Sequence, residues 1–201
     1  MIEKLFPLTK NKMNILKLIY EKGETHLMDI SRQMKLYPFS VQKSLAGIRH
    51  LLNEKKAGKT ILLSIDKNQQ QYFELACLIE GYRLNTSNKS VNSIIKHIRN
   101  LFSGDNIIIC CLFGSYARLA FTEKSDIDLL LVVKQKDKEL NRNASRLSTV
   151  LGKTVNPLIL TEDEFYNMIK NKEPSIMTLK FPAQRLLIKG AEYFVRSMEG
   201  N

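Results

Sequence analysis

The stretch Leu112-Phe113-Gly114-Ser115-Tyr116-Ala117-Arg118, followed after a short loop by Ser125-Asp126-Ile127-Asp128-Leu129-Leu130-Leu131-Val132-Val133, decides how this chain is read. On a β-strand, residues i and i+2 point to the same face. Asp126 and Asp128 are therefore expected to aim two carboxylates at one spot, with Ile127 and Leu129 turned the other way. Like charges so placed repel each other unless a cation lies between them. An oxygen-only ligand set suits Mg²⁺ or Mn²⁺, and Mg²⁺ commonly combines one or two carboxylates with substrate phosphates. Gly114-Ser115, at an expected helix start, offers backbone N–H groups to a phosphate. A phosphate cradle beside paired carboxylates points to metal-assisted phosphoryl or nucleotidyl transfer.

Outward from this stretch, strand and helix alternate. Ile107 to Phe113 is a continuous apolar run, the pattern of a strand buried on both faces. Ile127 to Val133 reads as the second strand, Lys136 to Leu151 as an amphipathic helix and Thr154 to Leu160 as the third strand. Thr161-Glu162-Asp163-Glu164 has the form of a capping box opening a helix to Lys170. Pro174 opens another short helix to Lys180, and Arg185 to Ile188 reads as a last extended segment. Upstream, Val91, Ile94, Ile95, Ile98, Leu101 and Phe102 recur at helical spacing. Together these predict an α/β domain with a small mixed sheet over residues 90–201, behind a connector over residues 76–89.

Residues 1–75 read differently. Helices are expected over Lys10 to Lys22 and Met28 to Lys35, and a third from Pro38 with Val41, Leu45, Ile48 and Leu52 as its buried stripe. Two strand-like runs follow, Thr60 to Ile65 and Gln70 to Leu75, joined by Asp66-Lys67-Asn68. Three short helices and a two-stranded wing predict a winged helix-turn-helix, its third helix presenting Gln42, Lys43 and Arg49 to DNA. Tyr37 and Phe39, flanking the start of that helix, are read as core residues in preference to base-stacking ones. The chain as a whole is thus expected to be α+β or α/β in two domains.

Charge supports a polyanion partner. The 201 residues carry 31 Lys and Arg against 20 Asp and Glu, a net charge of +11. Residues 1–75 hold 13 of the cations and 7 of the acids, so the surplus per residue is higher there. The three cysteines make neither a disulfide framework nor a zinc spacing, and adjacent Cys110 and Cys111 read as buried strand residues. His97 has no second His or Cys at ligand spacing. Met1-Ile2-Glu3-Lys4-Leu5-Phe6-Pro7 lacks the apolar core of a signal peptide, and no apolar run reaches 18 residues. A cytoplasmic protein without a membrane segment is the expectation.

Gly114-Ser115-Tyr116-Ala117-Arg118 and Ser125-Asp126-Ile127-Asp128-Leu129 resemble the G-S-x-A-x-G-x5-S-D-I-D-L signature of the nucleotidyltransferase superfamily that includes DNA polymerase β. The likeness is to the small prokaryotic minimal nucleotidyltransferases, here behind a winged helix. It implies that Gly114 and Ser115 hold the β- and γ-phosphates of a nucleoside triphosphate. It implies that Asp126 and Asp128 ligate two Mg²⁺ ions, one activating a hydroxyl and one stabilising pyrophosphate, and that Arg118 screens phosphate charge. The chain departs from the pattern twice. Leu119 replaces the second glycine, which suggests altered loop geometry. Asn156 stands where active relatives carry a third carboxylate, and an amide cannot accept a proton as a base. Glu162 or Glu164 would substitute only if brought near, and a helix-capping role is the stronger reading of both.

The expected function is Mg²⁺-dependent transfer of a nucleoside monophosphate to a hydroxyl, coupled to DNA binding. The alternative is a catalytically weak or inactive winged-helix transcriptional regulator that binds nucleotide; Asn156 favours it. A homodimer, or a protein partner of toxin–antitoxin type, is what family habit implies.

Overall fold

The computed structural model describes residues 8–199, which divide into two compact units at Tyr82 and Arg83. Met1 to Pro7, read from sequence as lacking the apolar core of a signal peptide, lie outside the described residues.

The first unit opens with helix α1 (Lys10–Lys22), capped by the Thr9 hydroxyl and stopped at Gly23. Helix α2 (Leu27–Met34) and helix α3 (Pro38–Ala46) follow. Met13, Leu16 and Ile19 of α1, Ile30 of α2, and Val41 and Leu45 of α3 are buried, as their spacing predicts. Helix α3 does not run on to Leu52. Gly47, a poor helix former, ends it, and a 3₁₀ turn over Arg49–Leu51 leads into the hairpin.

The hairpin pairs β1 (Leu52–Ala57) antiparallel with β2 (Thr60–Ile65), and Gly58, at φ +62°, makes the two-residue turn. This corrects the expected second strand over Gln70 to Leu75. Strand β1 is Leu52-Asn53-Glu54-Lys55-Lys56-Ala57, exposed at every position after Leu52, so it shows no apolar alternation. Thr25 bridges to Leu63 of β2 through two hydrogen bonds of 3.0 and 2.7 Å.

Gln70 to Leu75 instead lead into α4 (Tyr72–Asn85), whose Tyr72, Leu75, Ala76 and Ile79 form a buried helical stripe. Residues 76–85, expected within a connector, are therefore helical.

The second unit contains α5 (Lys89–Leu101), β3 (Ile107–Phe113), the one-turn helix α6 (Gly114–Ala117), β4 (Ile127–Val133), α7 (Lys138–Leu151), β5 (Val155–Thr161), α8 (Glu162–Lys170) and α9 (Pro174–Met177). Two 3₁₀ turns, β6 (Arg185–Lys189) and α10 (Ala191–Glu199) complete it. The sheet order is β5-β4-β3-β6; β4 and β5 are parallel and the other pairs antiparallel, a mixed sheet. A parallel neighbour needs a crossover, and α7 supplies it.

Each face of this sheet has its own core. Cys110, Leu112, Ile127, Leu129 and Leu131 pack with α5 and α7, whereas Ile109, Cys111, Leu130 and Val132 pack with α8 and α10. The adjacent cysteines thus point to opposite cores, and both are buried free thiols. Helix α10 has no counterpart in the sequence reading, although Phe194, Val195 and Met198 carry the buried spacing that marks it. No helix among the described residues is long and apolar enough to cross a membrane.

Phe165 of α8 is fully buried in the second core. Phe165→Ala is expected to lower unfolding stability by about 3–5 kcal/mol, measured by urea denaturation followed by circular dichroism.

Candidate active site

Strand β3 ends at Phe113, and Gly114 turns the chain with φ +70°. A Cβ at Gly114 would overlap the Asp128 carboxylate, so only glycine combines this backbone angle with that approach. The loop beyond is pinned at several points. Tyr116 is buried, stacks on Phe121 at 4.4 Å and donates its hydroxyl to the Ser125 carbonyl at 3.4 Å. The Thr122 N–H donates to Ser125 Oγ at 2.8 Å, and Lys153 Nζ donates to the Glu123 carbonyl at 2.7 Å. These contacts deliver Asp126 to the mouth of β4.

Leu119 occupies the left-handed region at φ +58°. Around it, the N–H groups of Leu119 and Ala120 donate to the carbonyls of Tyr116 and Ser115 at 3.3 and 2.9 Å. This is the bond pattern of a helix C-cap, where glycine is favoured. The altered loop geometry expected from Leu119 is thus corrected: the backbone takes a glycine-type conformation, and leucine bears the strain.

Strand register brings the polar groups together. Asp128 lies opposite Phe113 on β3 and opposite Asn156 on β5. Ile127 and Leu129 turn into the first core, leaving Asp128 half-buried on the other face and Asp126 exposed at the strand's start. Asn156 Nδ2 donates to Asp126 Oδ2 at 3.4 Å. Burial pushes the Asp128 carboxyl above the usual range, and the Asp126 charge adds to this. A hydrogen bond from Asn156 and the Arg118 charge act the other way. Asn156 therefore stands at the third corner of the site as a hydrogen-bond donor to both carboxylates.

Arg118 is exposed and donates to Gln184 Oε1 at 3.2 Å. Gln184 belongs to the 3₁₀ turn before β6, and nothing in the sequence marked it. The backbone of that turn is itself held by the buried guanidinium of Arg83, which donates to the Pro182 and Arg185 carbonyls at 2.6 and 2.9 Å. Ser115, one residue into the turn from Gly114, is partly exposed.

Glu162 and Glu164 do not reach the site. They follow β5, whereas Asn156 is at its start, about 20 Å away along an extended strand. Glu164 completes the capping box with Thr161 and pairs with Lys136, and Glu162 accepts from the Tyr193 hydroxyl.

The side chains brought together here are thus two carboxylates and one amide. No cluster of three His, Cys, Asp or Glu side chains is found among the described residues. Hard oxygen donors of this kind are the type that suits a Mg²⁺-type ion.

In the first unit, Gln42 and Lys43 are exposed on α3. Arg49 is engaged: its Nε and Nη2 donate to the two Glu54 oxygens at 2.5 and 2.8 Å. Tyr37 and Phe39 correct the core assignment, being 84% and 77% exposed.

Two outcomes are expected from this geometry. Leu119→Gly removes about 1–2 kcal/mol of left-handed strain against about 0.5–1 kcal/mol of added chain entropy, so the midpoint of urea unfolding rises slightly. Asp128 has a raised folded-state pKa, so its contribution to stability is complete below the unfolded value and is lost as pH rises through the folded value. In EDTA, Asp128→Asn is therefore expected to be more stable than the parent at pH 7, with the gain shrinking as pH falls through the raised folded-state value and gone below about pH 3.9, as measured by unfolding at each pH.

Residues 96–177 match the family described as Polymerase beta, Nucleotidyltransferase. No curated protein matches the chain. Among solved structures, a mutant of the toxin–antitoxin MntA-HpeT is 16% identical, with 55% of this chain and 84% of that one covered and a TM-score of 0.36. A rebuilt structure of tri-AMPylated Shewanella oneidensis HEPN toxin in complex with MNT antitoxin is also 16% identical, covering 60% of this chain and 84% of that one, with a TM-score of 0.32. Those scores are too low to support an argument. The family match covers less than half of the chain, and Gly114, Ser115, Arg118, Asp126, Asp128 and Asn156 all lie within the matched segment.

Proposed function

We propose that residues 90–201 form a nucleotidyltransferase that moves a nucleoside monophosphate from a nucleoside triphosphate to a hydroxyl acceptor, and that residues 1–75 are a DNA-binding winged helix-turn-helix. The observation that carries the enzymatic reading is the convergence at Asp128. Gly114 is close enough for its missing Cβ to matter, Asp126 contributes its charge, and Asn156 faces the pair from β5.

In this reading Asp126 and Asp128 hold a divalent cation, Mg²⁺ or Mn²⁺, and Gly114 and Ser115 receive the triphosphate. Arg118, braced by Gln184, would screen the charge of the phosphate oxygens. A bound cation supplies charge neutralisation for the phosphates and acidifies an attacking hydroxyl. The acceptor oxygen bonds to the α-phosphorus, the bond to the bridging oxygen of the β-phosphate breaks, and pyrophosphate departs. The hydroxyl proton passes to solvent, because Asn156 cannot take it.

A second reading, a regulator that binds nucleotide without turnover, is favoured by the same Asn156. Three helices, a two-stranded hairpin and the Thr25–Leu63 bridge support the winged helix. A second copy or a toxin–antitoxin-type protein partner, and a cytoplasmic setting, complete the proposal.

Incubation with each α-³²P-labelled nucleoside triphosphate and Mg²⁺ or Mn²⁺ is expected to label the chain itself or added RNA, DNA or protein. Asp126→Asn/Asp128→Asn abolishes labelling, and Asn156→Asp raises its rate by about 10²-fold or more. Metal-dependent nucleotide binding by calorimetry without label transfer, in the parent and in Asn156→Asp alike, would leave the regulator standing. For the first unit, Lys43→Ala should reduce the slope of log affinity for duplex DNA against log salt by about one, read by fluorescence anisotropy.

A further inference from the structure

The exposed stripe of α3 has a composition that its core does not explain. Phe39, Gln42, Lys43 and Ala46 fall at spacings of three, one and three, which places them within about 100° of the helix circumference. All four are exposed, while Val41 and Leu45 occupy the opposite, buried side. Phe39 sits in the first turn, the part of a groove-entering helix that reaches base edges, and Tyr37 immediately precedes the helix. Two aromatic rings, 84% and 77% exposed, stand in solvent at this point.

Charge selects what covers them. Residues 31–50 contain Arg32, Lys35, Lys43, Arg49 and His50 and no acidic residue. Glu54 neutralises Arg49, which leaves the exposed Arg32, Lys35 and Lys43 in the same stretch of chain as the rings. A second copy docking here by two-fold symmetry would set these cations against their own counterparts. A polyanion meets no such repulsion.

We propose that this stripe reads A·T base pairs in the major groove of duplex DNA. Phe39 and Ala46 pack against thymine C5-methyl groups, Gln42 pairs with adenine N6 and N7, and Lys43 neutralises a phosphate. The chemistry follows from the groove edges: thymine alone presents a methyl group, and the carboxamide of Gln matches the donor–acceptor pair of adenine. Arg49 is given no base contact, since Glu54 engages the Nε and Nη2 edge of its guanidinium and neutralises its charge. The proposal rests on the DNA-binding reading of the first unit.

The full chain would be titrated by anisotropy, at one salt concentration, against alternating poly(dA-dT), poly(dA-dU) and poly(dG-dC). The dA-dU duplex differs from dA-dT only by the missing methyl groups. The expected result for the parent is at least tenfold tighter binding to dA-dT than to dG-dC, and a severalfold loss on dA-dU. Phe39→Ala should bring dA-dT and dA-dU within twofold of each other. Phe39→Leu should retain the difference, and Lys43→Ala should weaken all three duplexes alike. Phe39 is exposed, so circular dichroism should show each variant folded.

Equal parental affinity for dA-dT and dA-dU overturns the proposal while leaving DNA binding intact. Equal loss on all three duplexes in Phe39→Ala does the same. Failure of the parent to bind any duplex removes the DNA-binding reading along with it. A dimer in sedimentation that Phe39→Ser dissociates, with DNA affinity unchanged, assigns the rings to self-association and also overturns the proposal.

Discussion

Strand β4 pairs antiparallel with β3 and parallel with β5, and this double ladder sets Asp128 level with Phe113 and Asn156 at once. The ladder cannot slip. A shift of one residue would swap Leu130 and Val132 with Ile127, Leu129 and Leu131 between two differently shaped cores and carry Asp126 and Asp128 to the opposite face. Burial on both faces, which costs the strand any polar residue along its middle, thus fixes where its polar start must lie. The carboxylates sit at the start of the apolar run, with Asp126 exposed and Asp128 half-buried.

The electrostatics of the site follow from one substitution in type. A third acid at position 156 would add negative charge beside two carboxylates, one of them already pushed toward protonation by burial. Asn156 donates hydrogen bonds instead, which relieves repulsion between the pair. In the proposed reaction the same amide would offer neither a base nor a strong ligand. Under the proposed function, stability of the site without a cation and catalytic power would pull position 156 in opposite directions, and this chain carries the residue that favours the former.

The first unit shows a different balance. Its helices bury an ordinary aliphatic core, yet Tyr37 and Phe39 are left in water beside cations that have no acidic neighbours within residues 31–50. Desolvating an aromatic ring is among the larger gains a surface can make on binding. Arg49 belongs to the opposite class: ideal fork geometry with Glu54 commits it to holding the 3₁₀ turn against β1.

Much of the second unit was legible in the chain. The apolar runs of β3 and β4, the capping box at Thr161 and the Gly-Ser and Asp-x-Asp spacing each reflect a local rule, and local rules are written in residue order. Strand β1 was not legible, because Asn53 to Ala57 face solvent on both sides and carry no apolar period. The exposure of Tyr37 and Phe39 was equally hidden, since an aromatic residue beside a helix start has the same local signature whether or not another element covers it. By itself the sequence determined that two carboxylates share a strand face close after a glycine turn, because side-chain alternation and turn chemistry are local. Only the tertiary structure decided that Asn156 lies across from them, that Glu162 and Glu164 lie a strand's length away, and that Gln184 braces Arg118. Those neighbours are set by strand register and loop packing between residues up to 66 positions apart, which no local pattern encodes.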